Sequence, residues 1–253
     1  MTTRTTEAMI LQTRDYGESD RLVSFLARTG GRLQGIAKGA RRSKKRFVHA
    51  FEPGSLVEVT YRARKSLAWI EGCKLIEPHL GLRTDVERWG YAALVSEILL
   101  EMVPEAEPQD ELFELVRQTF GRLTGDKDPV NVVVLFLLRF LDLAGYLPSL
   151  EACGVCGKPL SRARRWNWDL HRGTLSCPQH SPFPSEALAL DLGTLMLIGR
   201  SRTVPLDRLW RLRVAQGRKM SVLRALTGWV QGYIRKDLKS LHLLDQVRST
   251  QDP

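Results

Sequence analysis

Residues Gly31–Arg46 read GRLQGIAKGARRSKKR, and the rest of the chain is organised around them. The first half is strand-like. Leu33 and Ile36 are apolar, and Gly31 and Gly35, with Gly30 just before, keep the backbone tight. The second half puts six cations into the nine residues from Lys38 to Arg46, namely Lys38, Arg41, Arg42, Lys44, Lys45 and Arg46; Arg32 upstream is a seventh. So dense a cluster repels itself and is stable only in water or against a polyanion. Nucleic acid, with a phosphate every few ångströms, is the commonest such polyanion. The plainer alternative is a solvated basic loop.

Working outward, residues 1–80 hold five strand candidates: Glu7–Thr13, Arg21–Arg28, Arg32–Ala37, Leu56–Arg64 and Leu67–Ile76. Val57, Val59 and Tyr61 alternate cleanly, whereas 22–27 reads as a strand covered on both faces. Thr29-Gly30-Gly31 and Pro53-Gly54 supply turns. Short strands at this spacing predict a five-stranded barrel of the oligonucleotide-binding (OB) type. Such barrels hold single strands with a basic groove and aromatic stacking. Of Tyr16, Phe25, Phe47, Phe51, Tyr61 and Trp69, most are expected in the core, with Tyr16 and Phe47, in loops, as stacking candidates. Arg14, Arg62, Arg64 and Lys65 extend the basic surface. Gly30 and Gly35 have the separation of a phosphate-binding loop, but Ile36 stands where its lysine belongs, so ATP or GTP binding is not supported.

The run Arg14-Asp15-Tyr16-Gly17-Glu18-Ser19-Asp20, then Gly30-Gly31, then Ala37-Lys38-Gly39-Ala40-Arg41 resembles the opening of the RecO family of bacterial recombination mediators. Arg235-Lys236-Asp237-Leu238-Lys239-Ser240-Leu241 is similar to that family's C-terminal helix, and the likeness covers most of the chain. The resemblance implies that Lys38, Arg41, Arg42, Lys44, Lys45 and Arg46 lie in a DNA-binding loop. It implies binding of single- and double-stranded DNA, strand annealing, and loading of RecA with RecR onto strands coated by single-strand-binding protein. It also implies contacts with RecR and with that protein's acidic C-terminal tail.

Residues 81–150 are expected to be helical and acidic. Tyr91, Leu94, Val95, Ile98, Leu99 and Met102 recur at helical spacing, and a second helix starts near Asp110. The third is best delimited, with Asp128 as N-cap, Pro129 at the first helical position and Gly145 at its end. Its run Val132–Leu138 is apolar all round, which suits the centre of a bundle.

Residues 151–182 read as a zinc-knuckle insertion. Cys153-Gly154-Val155-Cys156-Gly157 and Cys177-Pro178-Gln179-His180 share one spacing, with 20 residues between the pairs. Cys153, Cys156, Cys177 and His180 complete a tetrahedral shell, and a shell closed by four protein ligands is structural, with no position for a reactive water. His171 competes as fourth ligand, and metal-bearing relatives resemble this region with a cysteine in the last position. Arg162, Arg164 and Arg165, near Trp166 and Trp168, either touch nucleic acid or form a solvated face over packed aromatics. Cys73 is expected to be a buried apolar group.

Residues 183–248 are expected to resume the helices: one opened by Ser185 and Glu186, a short one around Leu206–Val214 carrying Arg208, Arg211 and Arg213, and a long one from about Gln216 to Leu241 completing the bundle begun at residue 81. Ser249–Pro253 is expected to be a disordered tail.

The charge is uneven. Residues 1–80 carry 15 basic and 8 acidic side chains (+7), 81–150 carry 6 and 12 (−6), and 151–253 carry 17 and 8 (+9). Basic ends around an acidic middle suit polyanion binding. There is no export signal, and Val130–Leu138 is too short to span a bilayer, so the chain reads as cytoplasmic and nucleoid-associated. The fold class expected is α+β with several domains. The function expected is a non-enzymatic DNA-binding mediator, with an RNA-binding or ribosome-associated module as the alternative. An enzyme such as a zinc hydrolase has little support: five histidines and no metalloprotease or nucleotide-loop motif.

Overall fold

The computed structural model describes residues 2–43, 45–63, 67–147, 149–160, 166–169, 174–180 and 187–251. In chain order its strands and helices are β1 (Thr3–Tyr16), β2 (Asp20–Ala27), β3 (Gly31–Ala37), β4 (Leu56–Arg62), β5 (Ala68–Glu77), α1 (Val86–Met102), α2 (Asp110–Gly125), α3 (Pro129–Leu143), β6 (Trp166–Asp169), β7 (Thr174–Ser176), β8 (Ala187–Leu190), α4 (Leu192–Thr203), α5 (Leu206–Leu209), α6 (Lys219–Ile234) and α7 (Lys239–Gln251). They form two compact units, Met1–Lys127 with Leu238–Pro253, and Asp128–Asp237.

In the first unit, β1–β5 close into a barrel in the order β1-β2-β3-β5-β4, with β4 pairing back onto β1. All neighbours are antiparallel except β3 and β5. This is the five-stranded barrel expected from the short strands and their turns. Gly31, at φ +68°, makes the turn into β3. Ala8, Ile10, Val23, Phe25, Val57, Val59, Tyr61 and Ile70 fill the interior, each large side chain contributing about 1.5–3 kcal/mol by leaving water. The second half of β2 is buried on both faces, which explains its mixed pattern. Cys73 joins the core, and desolvation pushes its thiol up to about 12.

α1 starts where the Asp85 carboxylate accepts from the Glu87 and Arg88 amides, a cap worth about 1 kcal/mol. α1 packs on β1, α2 and α7. The single long helix expected over 216–241 is two. α6 stops at Arg235, whose left-handed conformation (φ 53°) turns the chain. α7 then begins on Glu97 of α1, whose carboxylate accepts from the Lys239 and Ser240 amides, 2.9 Å each. Leu238 and Leu244 are buried, so apolar burial draws α7 onto α1. α7 runs on to Gln251, so Ser249–Gln251 is helical and not a disordered tail; residues 252–253 lie outside the described residues.

Glu114 of α2 gathers cations. Arg117 donates to both its oxygens, Gln118 to one, and Arg28 from the β2–β3 turn approaches at 3.4 Å. The Arg117 hydrogen bonds, against partial burial, hold this carboxyl down at about 2. A depressed carboxyl stabilises the fold above its ordinary value of 4.5, and that contribution is lost as pH falls towards about 2. Glu114→Gln is expected to flatten the melting temperature's dependence on pH across that window, measured by circular dichroism.

The second unit is built on α3. Asp128 accepts from the Asn131 amide, Pro129 opens the helix, and every side chain from Asn131 to Leu141 is buried. The helix packs on α4 and α6, while α1 and α2 belong to the first unit, and Asn131 bonds the Leu212 carbonyl and the Val214 amide. The helix expected from Ser185 begins later. Residues 181–186 lie outside the described residues, Ala187–Leu190 is β8 paired with β6, and α4 starts at Leu192 because Asp191 caps the Thr194 amide at 2.7 Å. Among the described residues no helix is long and apolar enough to cross a membrane.

Candidate nucleic-acid interface and metal cluster

The acidic turn between β1 and β2 holds the start of the basic loop. Asp20 Oδ1 accepts from the Gly39 amide (2.9 Å) and the Ser19 hydroxyl (3.0 Å), and Oδ2 pairs with Lys38 Nζ (3.1 Å). The Gly39 amide is the chief reason this carboxyl is held below its ordinary range, against some desolvation, with Lys38 and Ser19 assisting. Gly39 itself sits at φ +68°, a conformation that glycine adopts without strain, and it turns the chain from β3 into the 3-10 turn Ala40–Arg42. The Arg41 amide donates to the Ser19 carbonyl, and its guanidinium reaches Asp15 at 3.4 Å and the Glu18 carbonyl at 3.3 Å. The loop is thus an ordered shelf.

Farther along, Arg46 donates to the Lys38 carbonyl (3.0 Å), lies over the Phe47 ring at 4.9 Å and accepts from the Cys73 amide of β5. Arg42 and Lys45 are exposed and make no ion pair among the described residues. Beside the shelf opens a depression of about 430 Å³, whose lining includes Arg21, Arg41, Phe47, His49 and Glu52.

Lys38, Arg41, Arg42, Lys45 and Arg46 are all exposed along this loop; Lys44, Arg64 and Lys65 lie outside the described residues. Arg14 is exposed on β1, and Arg62 is exposed on β4 but ion-paired with Glu71. Arg32 differs. It is largely covered, donating to the Val103 carbonyl at 2.6 Å and pairing with Glu105 at 3.3 Å. It ties the barrel to the segment after α1 instead of joining the shelf.

Of the two stacking candidates, Tyr16 is exposed but Phe47 is buried against Phe51, ring centroids 5.1 Å apart. Trp69, named among the barrel aromatics but not as a stacking candidate, lies near a cation of the loop. It is half-buried on β5, opposite Ile36 and Arg62, with Lys38 Nζ 5.9 Å from its ring. Its place just past a cationic stretch was the available signal.

Asp20→Ala tests the shelf. It makes the chain more positive, which by itself favours polyanion binding, but it frees Gly39 and Lys38. The expected result is weaker DNA binding in a variant that still folds, read by fluorescence anisotropy; tighter binding would show that the order of the shelf does not matter.

The Cys/His cluster forms on two turns. The first is closed by Cys153 N–H to the Lys158 carbonyl and Gly157 N–H to the Cys153 carbonyl, 2.8 Å each; in the second, the His180 amide donates to the Cys177 carbonyl at 2.9 Å. The ligand atoms of Cys153, Cys156, Cys177 and His180 all lie within 4.8 Å of one another, with 4.0 Å between the Cys156 and Cys177 sulfurs and 3.3 Å from Cys177 Sγ to His180 Nδ1. These separations suit a four-coordinate metal shell of three thiolates and an imidazole. None of these cysteines is in a disulfide. Desolvation opposes ionisation of Cys153, but the Cys177, Cys156 and Val155 amides donate to its sulfur and bring it down to about 6. The cluster can hold a metal ion, and the histidine it includes is His180; His171 lies outside the described residues. Trp166 and Trp168 of β6 are buried, so they serve as packing and not as exposed platforms. Arg162, Arg164 and Arg165 lie outside the described residues.

A mixed α+β protein led by a five-stranded barrel, with an ordered cationic shelf on that barrel, is the class these features define. The chain matches the family model described as Recombination protein O N terminal over residues 1–79 and that described as Recombination protein O C terminal over residues 83–242. It is 57% identical over 250 residues to the DNA repair protein RecO of Syntrophobacter fumaroxidans, covering 99% of this chain and 100% of that one. It is 30% identical over 251 residues to the protein of the same name from Syntrophus aciditrophicus (97% and 96% covered), and 30% over 241 residues to that of Anaeromyxobacter dehalogenans (94% of each). The chain belongs to the RecO family of DNA repair proteins.

Proposed function

We infer that this protein is a recombination mediator that works by binding DNA and not by catalysis. The observation that carries the reading is the shelf held by Asp15 and Asp20, from which Arg42 and Lys45 project unpaired among the described residues. Arg14, Lys38, Arg41, Arg46 and Arg62 extend the cationic surface, and Trp69 and Tyr16 offer ring surface beside it. Lysines and arginines displace the counterions condensed on a phosphate backbone. Grip of that kind takes single and double strands with little sequence preference, and by neutralising two polyanions it promotes annealing. Acting with RecR on strands coated by single-strand-binding protein, it would help to load RecA in the cytoplasm, at the nucleoid.

Residues 151–182 act as a module organised by zinc, with Cys153, Cys156, Cys177 and His180 as the ligands. A bound zinc would supply structural cross-linking there. The test of the binding reading is an anisotropy titration of the full chain against single strands of unrelated sequence at two salt concentrations. Affinities that agree across sequences and fall steeply with salt support it. Salt-independent binding, or none, refutes it.

A further inference from the structure

The two units differ in charge. Basic and acidic side chains number 22 and 20 in the first (+2), and 16 and 8 in the second (+8), so most of the chain's +10 belongs to the unit without the barrel. The described ion pairs there are Arg202 with Asp142, Arg218 with Asp191 and Lys219 with Asp128. Arg224 and Arg235 remain exposed. A polyanion is therefore drawn to this unit as well as to the shelf.

The same unit carries a cluster of rings at its surface. Trp229 and Tyr233, one turn apart on α6, are stacked with planes 9° apart and centroids 5.6 Å apart. Tyr146, just beyond α3, packs on them with centroids at 5.1 and 4.5 Å, its hydroxyl bonded to that of Tyr233. Tyr233 is nevertheless 52% exposed. The rings hold one another, so little rotamer freedom remains to be lost on binding. On the adjoining flank of α6, a Cβ at Gly228 or Gly232 would meet nothing within 4 Å, which leaves that approach open. Arg235 lies two residues past Tyr233.

We propose that Tyr146, Trp229 and Tyr233 form a base-stacking platform for single-stranded nucleic acid, with Arg235 beside it, as a second binding site apart from the barrel shelf. Flat bases stack on such rings whatever their identity, while the phosphates that link them meet Arg235. An acidic peptide answers the charge equally well, but it does not require parallel rings. The proposal rests on the nucleic-acid reading above and adds a base-dependent component to it.

The test compares binding of the full chain to an oligothymidylate and to an abasic strand of equal length, by anisotropy at fixed salt. Wild-type protein is expected to prefer the oligothymidylate roughly 10-fold. Trp229→Leu/Tyr233→Leu, or Tyr233→Leu alone should the double variant not fold, is expected to lose most of that preference while holding the abasic strand unchanged; Tyr233→Trp is expected to retain it. A folded leucine variant that keeps the full preference overturns the platform. So does a wild-type protein that binds both strands equally, in which case the electrostatic reading survives. Failure to bind either strand overturns both. Loss of an acidic peptide's binding in the leucine variants, with base preference intact, would assign the face to a protein partner and likewise overturn the platform.

Discussion

Changing Arg42 and Lys45 together to glutamate is expected to weaken single-strand binding roughly 10- to 100-fold near ~0.1 M salt. It should also reduce the slope of log affinity against log salt by about 1.4, the share of two phosphate contacts on a single strand. Both side chains project from the shelf without an ion pair among the described residues, so the fold should keep its melting temperature. Arg32→Glu provides the contrast. Arg32 donates to the Val103 carbonyl and pairs with Glu105, so its reversal places a carboxylate against a carbonyl and another carboxylate. It should cost stability first and DNA affinity only as a consequence. Anisotropy titrations with thermal melts separate the two. Unchanged affinity in a folded Arg42/Lys45 variant would remove the shelf from the binding site.

The second large effect is expected from Cys177→Ser. Cys177 bridges the cluster: its sulfur lies 4.0 Å from that of Cys156 and 3.3 Å from His180 Nδ1, and its amide donates to the Cys153 sulfur. Three short strands in the order β7-β6-β8 form a small sheet here, with Trp166 and Trp168 as its largest buried groups. Structural zinc contributes about 10–16 kcal/mol in small finger peptides, far more than so small a sheet gains by burial. The variant should therefore lose bound metal, measured by elemental analysis, together with the near-ultraviolet circular dichroism of the two tryptophans. Chelation of wild-type protein should reproduce both changes. A metal-free variant with an intact tryptophan signal would show that the sheet stands without an ion.

Local signals were strong where the cause lies within a few residues. Asp128 and Pro129 start α3 because a side-chain oxygen caps the first turn and a proline needs no amide partner there. The spacing of Cys153, Cys156, Cys177 and His180 anticipated a cluster because two tight turns each present a pair of ligands. The barrel strands showed through their alternation and their turns. The acidic run at 15–20 stood out as a motif, but its role as anchor for Gly39 and Lys38 depends on pairing between β1 and β2 and between β2 and β3.

Other features depended on contacts between residues far apart. Phe47 looked like a loop aromatic and is core, because Arg46 bonds back to β5 and folds Phe47 onto Phe51. The division between α6 and α7 rests on a left-handed arginine and on Glu97, more than 130 residues upstream, which receives the first amides of α7. Tyr146 reaches Trp229 and Tyr233 across more than 80 residues.

Composition, alternation and ligand spacing by themselves determined the barrel, the cationic loop, the central helix of the second unit and the Cys/His set, because each depends on geometry repeated over a few residues. Only the tertiary structure decided which cations stay free and which are spent on joints, where the last helix docks, and which rings reach the surface. Those outcomes turn on carboxylates, carbonyls and apolar faces brought together from distant parts of the chain, and short-range pattern holds no record of them.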